Sequence, residues 1–453
     1  MDQLDNMLTN LFAGETPVFE VKPVAPKRHW VDAHRWQTAV IGLVAVALVA
    51  GAFTLGGTVA GARPRDLMAG VRAQLDTQNI TQLDQGPQMI TATADFAIKL
   101  AQQAAEPGQN LLVSPLSAQL ALALTANGAA GETQAQMLQV LAGGASMDDL
   151  NTYLSAYLDD LPNTSTASFH SANSIWYNEN SGLTIEPSFL QANATYYGAG
   201  AYSARFDSGA LKSINNWVKT STGGMIPQML DNLDPTIAMI LLNALVFDAK
   251  WQYQYDTAQV AQGVFTDGDG TQQNANFMTS TEATYLEDAQ ATGFVKPYAD
   301  GTYTFVALLP NQGVSVDDYL ASLTGDKWLQ LLASAKAEST AASLPSFSLS
   351  DAITLNDALI AMGMPDAFDS NAADFSGMTT DAGLNIDEVL QKTRIEVTPE
   401  GTKAAAATEV SMTYSAGIVA QHTVILDRPF IYAIVDPSTN LPLFIGVANS
   451  LDS

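Results

Sequence analysis

Ser114 and Ser117, in the stretch "NLLVSPLS", are hydroxyls that a neighbouring imidazole could activate for acyl transfer. The only partner bases beyond the first 34 residues are His170 and His422. Neither lies in a context that supports the pairing, and the chain has no G-x-S-x-G elbow, phosphate loop or H-E-x-x-H helix, so a hydrolase using Ser114 or Ser117 is a poor reading. His29, His34, His170 and His422 never fall at metal-ligand spacing. The absence of cysteine removes disulfides, zinc-thiolate sites and thiol nucleophiles together. No metal and no cofactor is implied. The stretch that stands out is "PEGTKAAAATEVSMTYSAGIV", residues 399–419. Its four alanines favour helix, yet they run into a Thr, Val, Ser, Met, Thr, Tyr series that favours extended backbone. Such a segment is suited to having two structures.

The elements around these residues belong to a globular chain: 453 residues, 47% hydrophobic and only 14% charged. The net charge of -27 is uneven, because the first 72 residues hold 7 of the 19 basic and 6 of the 46 acidic residues. The remainder sets 12 basic against 40 acidic residues, a net of -28. A surface that acidic repels nucleic acid and anionic lipid, which excludes both as ligands of the main domain.

Between Arg35 and Arg63 run 27 uncharged residues, roughly 40 Å as a helix and more than a bilayer core requires. Residues 37–62 therefore read as a transmembrane helix, with 1–36 a cytoplasmic tail and 63–88 a juxtamembrane linker. The positive-inside rule places the N-terminus in the cytoplasm only weakly. The expected location is the cell membrane, single-pass, with the large domain of residues 89–453 outside. The alternative is a secreted product after cleavage near Ala62, since Ala60, Gly61 and Ala62 form a small-residue site. Against it, the region before the span is longer than a usual signal n-region.

From Met89 the pattern is helical, with Phe96 and Leu100 at i, i+4. A second helix follows "SPLS" until Gly128, and "ETQAQMLQVL" supplies a third. Strands are expected at 171–178, 238–247, 303–310 and 429–436, the last joined by "PSTN" to "LPLFIGVAN" as a hairpin. Helices followed by mixed strands predict an α+β fold rather than a doubly wound sheet.

Five stretches resemble the serpin family, in family order and over nearly everything from residue 90 on. They are Asn110 with "SPLS" and "NGAAGET"; "NNWVKTSTGGMI" (215–226); "LLNALVFDAKWQYQYD" (241–256); "ALIAMGMPDAFDSNAADFSGM" (358–378); and "DRPFIYAIVDPSTNLPLFIGVANS". The resemblance implies a large central β-sheet, further sheets, about eight or nine helices and an exposed reactive loop, here about 400–420. "EGTKAAAAT" is similar to the hinge of inhibitory members: Glu400, Gly401, Thr402, Lys403, Ala404, Ala405, Ala406, Ala407 and Thr408. In that family the loop is bait, and after a serine protease cuts it and forms an acyl-enzyme, the freed hinge inserts as a new strand in the central sheet. Fourteen inserted residues would carry the protease roughly 46 Å.

Counting as the family does, the scissile bond is Ser415–Ala416; side-chain chemistry also suits Tyr414–Ser415. Val410, Met412, Thr413 and Tyr414 would set specificity, and the absence of Lys or Arg there points to elastase-, chymotrypsin- or subtilisin-like targets. The expected partner is a serine protease held as a covalent complex by a monomer that is not itself an enzyme. The alternative is a non-inhibitory binding protein of the same fold whose loop is cleaved without trapping. Two residues depart from the family pattern. Gln391 stands where a His usually hydrogen-bonds with an Asn and two Ser, matched here by Asn243, Ser114 and Ser117, in the region where the sheet opens. Lys403 stands where relatives often carry an acid, which is tolerable if it faces outward on insertion and obstructive if it faces inward.

Overall fold

The computed structural model describes residues 64–69, 71, 86–162, 164–381, 383–402 and 420–451, and these described residues belong to one compact unit. The expected tail, the 37–62 span and the Ala60–Ala62 site lie outside the described residues. No described helix is long and apolar enough to cross a membrane.

The helices are α1 (Gly86–Ala104), α2 (Pro115–Ala126), α3 (Gly131–Ala142), α4 (Met147–Asp160), α5 (Pro187–Tyr197), α6 (Ser208–Ser221), α7 (Val316–Ser322), α8 (Gly325–Ala333) and α9 (Asn356–Met362). The first three match the expected helices. On α1 the buried Met89, Thr93, Phe96, Ala97 and Leu100 recur at i+3 and i+4, one face of a helix. Ser114 caps α2, its side chain accepting from the Ser117 N–H, and Pro115 occupies the first turn where its missing N–H costs nothing.

Among the described residues the central sheet has seven strands in the order β1 (Arg65–Asp66), β4 (Gly200–Ala204), β3 (Ala167–Asn178), β5 (Met239–Lys250), β14 (Gly401–Thr402), β13 (Glu388–Val397), β12 (Phe347–Thr354). A second sheet runs β2 (Leu111–Val113), β17 (Leu441–Ala448), β16 (Phe430–Asp436), β10 (Thr304–Pro310), β9 (Ala291–Pro297), β8 (Thr284–Glu287). The third runs β15 (His422–Ile425), β11 (Thr340–Pro345), β7 (Gln272–Glu282), β6 (Val260–Thr266). Both expected C-terminal strands are present and wholly buried. On β16 alternate residues serve two different cores, Phe430, Tyr432 and Ile434 on one side and Ile431, Ala433 and Val435 on the other. A strand covered on both faces reads as an unbroken apolar run.

Part of the segment read as a linker is described, and it lies against the fold. Arg65–Asp66 pairs antiparallel with Ser203 and Tyr202, Leu67, Met68 and Val71 pack against the core, and α1 begins at Gly86. Three apolar side chains in five residues find an unfilled edge of the sheet, a signal too short for a periodicity reading.

Candidate functional site

The site forms where two parallel strands of the central sheet separate. β13 and β5 pair directly from Glu388 opposite Ile240 to Lys392 opposite Ala244. Five residues further along each strand, at Val397 and Ala249, Thr402 stands between them and pairs antiparallel with both. Gly401 lies opposite Lys250. The first two residues of the loop thus form a wedge that holds one end of the sheet open.

Three backbone N–H groups fix the chain that leads to this wedge. Tyr255 donates to Pro399 O, Trp251 to Glu400 O and Thr398 to Gly401 O, at 3.0, 3.0 and 2.9 Å. The Trp251 indole Nε1 also donates to Thr398 O at 2.8 Å. Thr402 is buried, and its hydroxyl hydrogen-bonds the Tyr298 hydroxyl. Tyr298 stacks on Trp251 with centroids 4.5 Å apart and meets Phe247 edge-on at 5.1 Å. Burial pushes the Tyr298 phenol well above its ordinary range, so it remains a neutral donor and acceptor.

Gly401 is one of the residues similar to the family's hinge. Its place shows a steric need: a Cβ there would come within 2.2 Å of Ala249 O and 2.7 Å of Lys250 Cα. Only glycine lets the wedge approach β5 this closely.

Further down the sheet, Gln391 on β13 lies opposite Asn243 on β5. Its amide clasps the backbone of Ser114, Oε1 accepting from Ser114 N–H and Nε2 donating to Ser114 O, each at 2.9 Å. Two bonds on one residue imitate a strand pairing, and they tie β13 to the start of α2. The Ser114 hydroxyl donates to Leu443 O at 2.7 Å and caps α2, so this serine is engaged as a tether rather than held as a nucleophile. Thr393 adds a bond to Leu112 O at 2.8 Å. The other serine of that region, Ser117, is buried in the first turn of α2.

Because an amide does not titrate between pH 5 and 8, replacing it with imidazole gives a clear prediction. In Gln391→His a neutral ring supplies one donor and one acceptor, whereas the protonated ring loses the acceptor that Ser114 N–H requires. Burial without a counter-charge favours the neutral ring, so its contribution is present at pH 8 and lost as pH falls through the ring's pKa. The ratio of variant to parent rate for uptake of a peptide copying residues 402–415 should rise about tenfold between pH 8 and 5.5. A ratio that does not change with pH would remove the latch role.

The remaining expected loop residues, Lys403, Ala404, Ala405, Ala406, Ala407, Thr408, Val410, Met412, Thr413, Tyr414, Ser415 and Ala416, lie outside the described residues. The chain is described again from residue 420, and on β15 His422 Nε2 lies within hydrogen-bond distance of Glu338 Oε2 at 2.6 Å and its ring stacks on Tyr285 with centroids 3.7 Å apart. Sequence reading missed Tyr255, Tyr298 and Thr398. Their part depends on two chain segments about a hundred residues or more apart meeting at one sheet end, and no local pattern marks it.

Comparison with known proteins agrees with this geometry. Residues 91–450 match the family model described as "Serpin (serine protease inhibitor)". The chain is 31% identical over 371 residues to "Serpin B6" of Macaca fascicularis, covering 78% of this chain and 97% of that protein. It is also similar to the solved native state of the thermophilic serpin Tengpin, with a TM-score of 0.81 and 45% identity over 86% of this chain and 100% of that one. The latent state of the same protein fits with a TM-score of 0.72, at 46% identity over 81% of this chain and 98% of that one.

Proposed function

The chain belongs to the serpin family, and from that premise we propose that it is a suicide inhibitor of serine proteases that traps the acyl-enzyme by inserting its cleaved loop into the central sheet. The observation that carries this reading is the wedge. Thr402 already occupies the strand position between Val397 and Ala249, so insertion continues a pairing that has begun.

Thr402 also sets the parity of everything that follows it. Its side chain faces the core, and successive residues of a strand alternate between faces. On insertion Ala404, Ala406, Thr408, Val410, Met412 and Tyr414 would face inward, while Lys403, Ala405, Ala407, Glu409, Ser411, Thr413 and Ser415 would face outward. Every charged residue of the run falls on the outer set and every large apolar one on the inner set. Lys403 is then an outward residue and no obstacle. The loop would advance by separating the β13–β5 pairs from Lys392/Ala244 towards Glu388/Ile240.

The loop chemistry supports a target with a small, apolar or aromatic preference, cut at Ser415–Ala416 or at Tyr414–Ser415. The test is to mix the protein with elastase-, chymotrypsin- and subtilisin-like enzymes, followed by denaturing gels and mass spectrometry. A complex that survives denaturant, with a released peptide beginning at Ala416 or Ser415, is expected. Complete loop cleavage without such a complex would sink the trapping mechanism and leave a binding protein of the same fold.

The 27-residue uncharged run before Arg63 supports an anchor, with the inhibitory domain outside the cell. Full-length protein should stay with carbonate-washed membranes; a product beginning just after Ala62 in the medium would replace the anchor with secretion.

A further inference from the structure

Lys296 on β9 is buried, with a side chain 2% exposed, and its Nζ lies 2.9 Å from Glu282 Oε1 on β7, itself 7% exposed. The same carboxylate oxygen accepts from the Ser280 hydroxyl at 2.6 Å. Nζ stands over two aromatic rings, 4.2 Å from the Tyr255 centroid and 5.4 Å from that of Trp251, and 3.4 Å from Tyr253 O. A pair this deeply desolvated adds little net stability compared with apolar side chains of the same size. Its surroundings point to another use. Trp251 and Tyr255 are the two residues whose N–H groups grip the Glu400 and Pro399 carbonyls, and the Trp251 indole holds Thr398 O.

We propose that the Lys296–Glu282 pair positions the loop base: the ammonium fixes the Trp251 and Tyr255 rings, these fix residues 251–255, and that segment holds the wedge in the open sheet end. Glu282 keeps the ammonium in place between the two ring faces. Neither residue touches the protease or the scissile bond, so both act through Trp251 and Tyr255. This assignment rests on the loop-inserting reading, because it gives the wedge its purpose.

The test uses the full chain carrying Glu282→Gln and Lys296→Met together, which removes both charges at nearly constant volume. Hydrogen exchange is followed at the Trp251, Tyr255 and Thr398 amides, with β16 and β17 amides as the internal reference. Losing a desolvated cation–π contact should speed exchange at the three loop-base amides about tenfold and leave the reference strands unchanged. Lys296→Arg, which restores a cation that can pair with Glu282, should recover most of the protection. Unchanged exchange at the three amides, or equal acceleration at all sites, would overturn the assignment, since a merely structural pair would affect the fold as a whole.

A second readout separates this from the inhibitory reading. With a subtilisin-like protease, the fraction of cleavage events that end in a stable complex should fall about tenfold in the double variant, because insertion loses its starting position. Selective loss of loop-base protection, with no complex from either protein, would reject the inhibitor and retain the positioning pair. A protected loop base together with normal trapping by the double variant would reject the pair and retain the inhibitor.

Discussion

Thr402→Arg should turn a trap into a substrate. Thr402 is 1% exposed, and its hydroxyl is bonded to a fully buried tyrosine between two strands. A guanidinium at that position must either enter an apolar site without a partner or keep the first inserting residue out of the sheet. Burying an unpaired cation costs several kcal/mol; an insertion barrier raised by only about 3 kcal/mol slows the step roughly 150-fold. Hydrolysis of the acyl-enzyme has no such obstacle, and it would win the competition. The loop should be cut as fast as in the parent, complexes should vanish from denaturing gels, and active protease should return. Thr402→Val, which keeps size and apolar character, should retain trapping. Should Thr402→Arg still form complexes at the parent's stoichiometry, neither the inward parity nor the wedge would have its assigned part.

Removing one member of the Lys296–Glu282 pair should destabilise the protein by about 3–5 kcal/mol, because the other charge is left buried and uncompensated. The two single variants should respond to pH in opposite senses. In Lys296→Met the lone carboxylate is driven to take up a proton, which raises its folded pKa above the unfolded value. The penalty is then small at acid pH and grows as pH rises past the ordinary glutamate range. In Glu282→Gln the lone ammonium is driven to give up its proton, lowering its folded pKa, so the penalty is largest at acid and neutral pH and shrinks as pH rises towards the ordinary lysine range. The double neutral variant should lie close to the parent at every pH. Denaturant melts at pH 5, 7 and 9 would check this. Parallel pH profiles for the two single variants would mean that the pair is not desolvated as the structure places it.

The extent to which the chain could be read in advance follows from how local each signal is. α1, α2 and α3 carry a helical period or capping residues within a dozen positions, and the strands ending the chain are unbroken apolar runs. The loop base was recognised through a resemblance, because "EGTKAAAAT" has no periodicity of its own. The resemblance named Gln391 and Ser114, and the form of their contact, amide to Ser114 backbone, could be read only from the fold. The grip of residues 251–255 on 398–401 was not legible, since it joins segments more than a hundred positions apart. The Lys296–Glu282 pair was equally hidden, because two charges in separate strands read as two solvated side chains until the fold covers both. Leu67, Met68 and Val71 were passed over for the opposite reason: three apolar residues in a polar stretch are too few to define an element.

The second sheet has a consequence for synthesis. Its middle strands β17 and β16 come from the last few dozen residues of the chain, and they lie between β2 near the start of the domain and β10 from its middle. Asn110 just ahead of β2 is tied to the backbone of Asn449 and Ser450 at 2.7 and 2.9 Å. Until residues 430–448 have been made, β2 and β10 have no partner between them, and the apolar faces that will enclose β16 and β17 remain uncovered. The domain therefore closes only once residues 430–448 are free to pair, through its most distant contacts, which makes its folding slow and exposes a sticky intermediate to whatever surrounds the nascent chain. Truncation ahead of Phe430 would remove more than a tail: it would leave β2 and β10, the two flanks of the sheet, with nothing to join them.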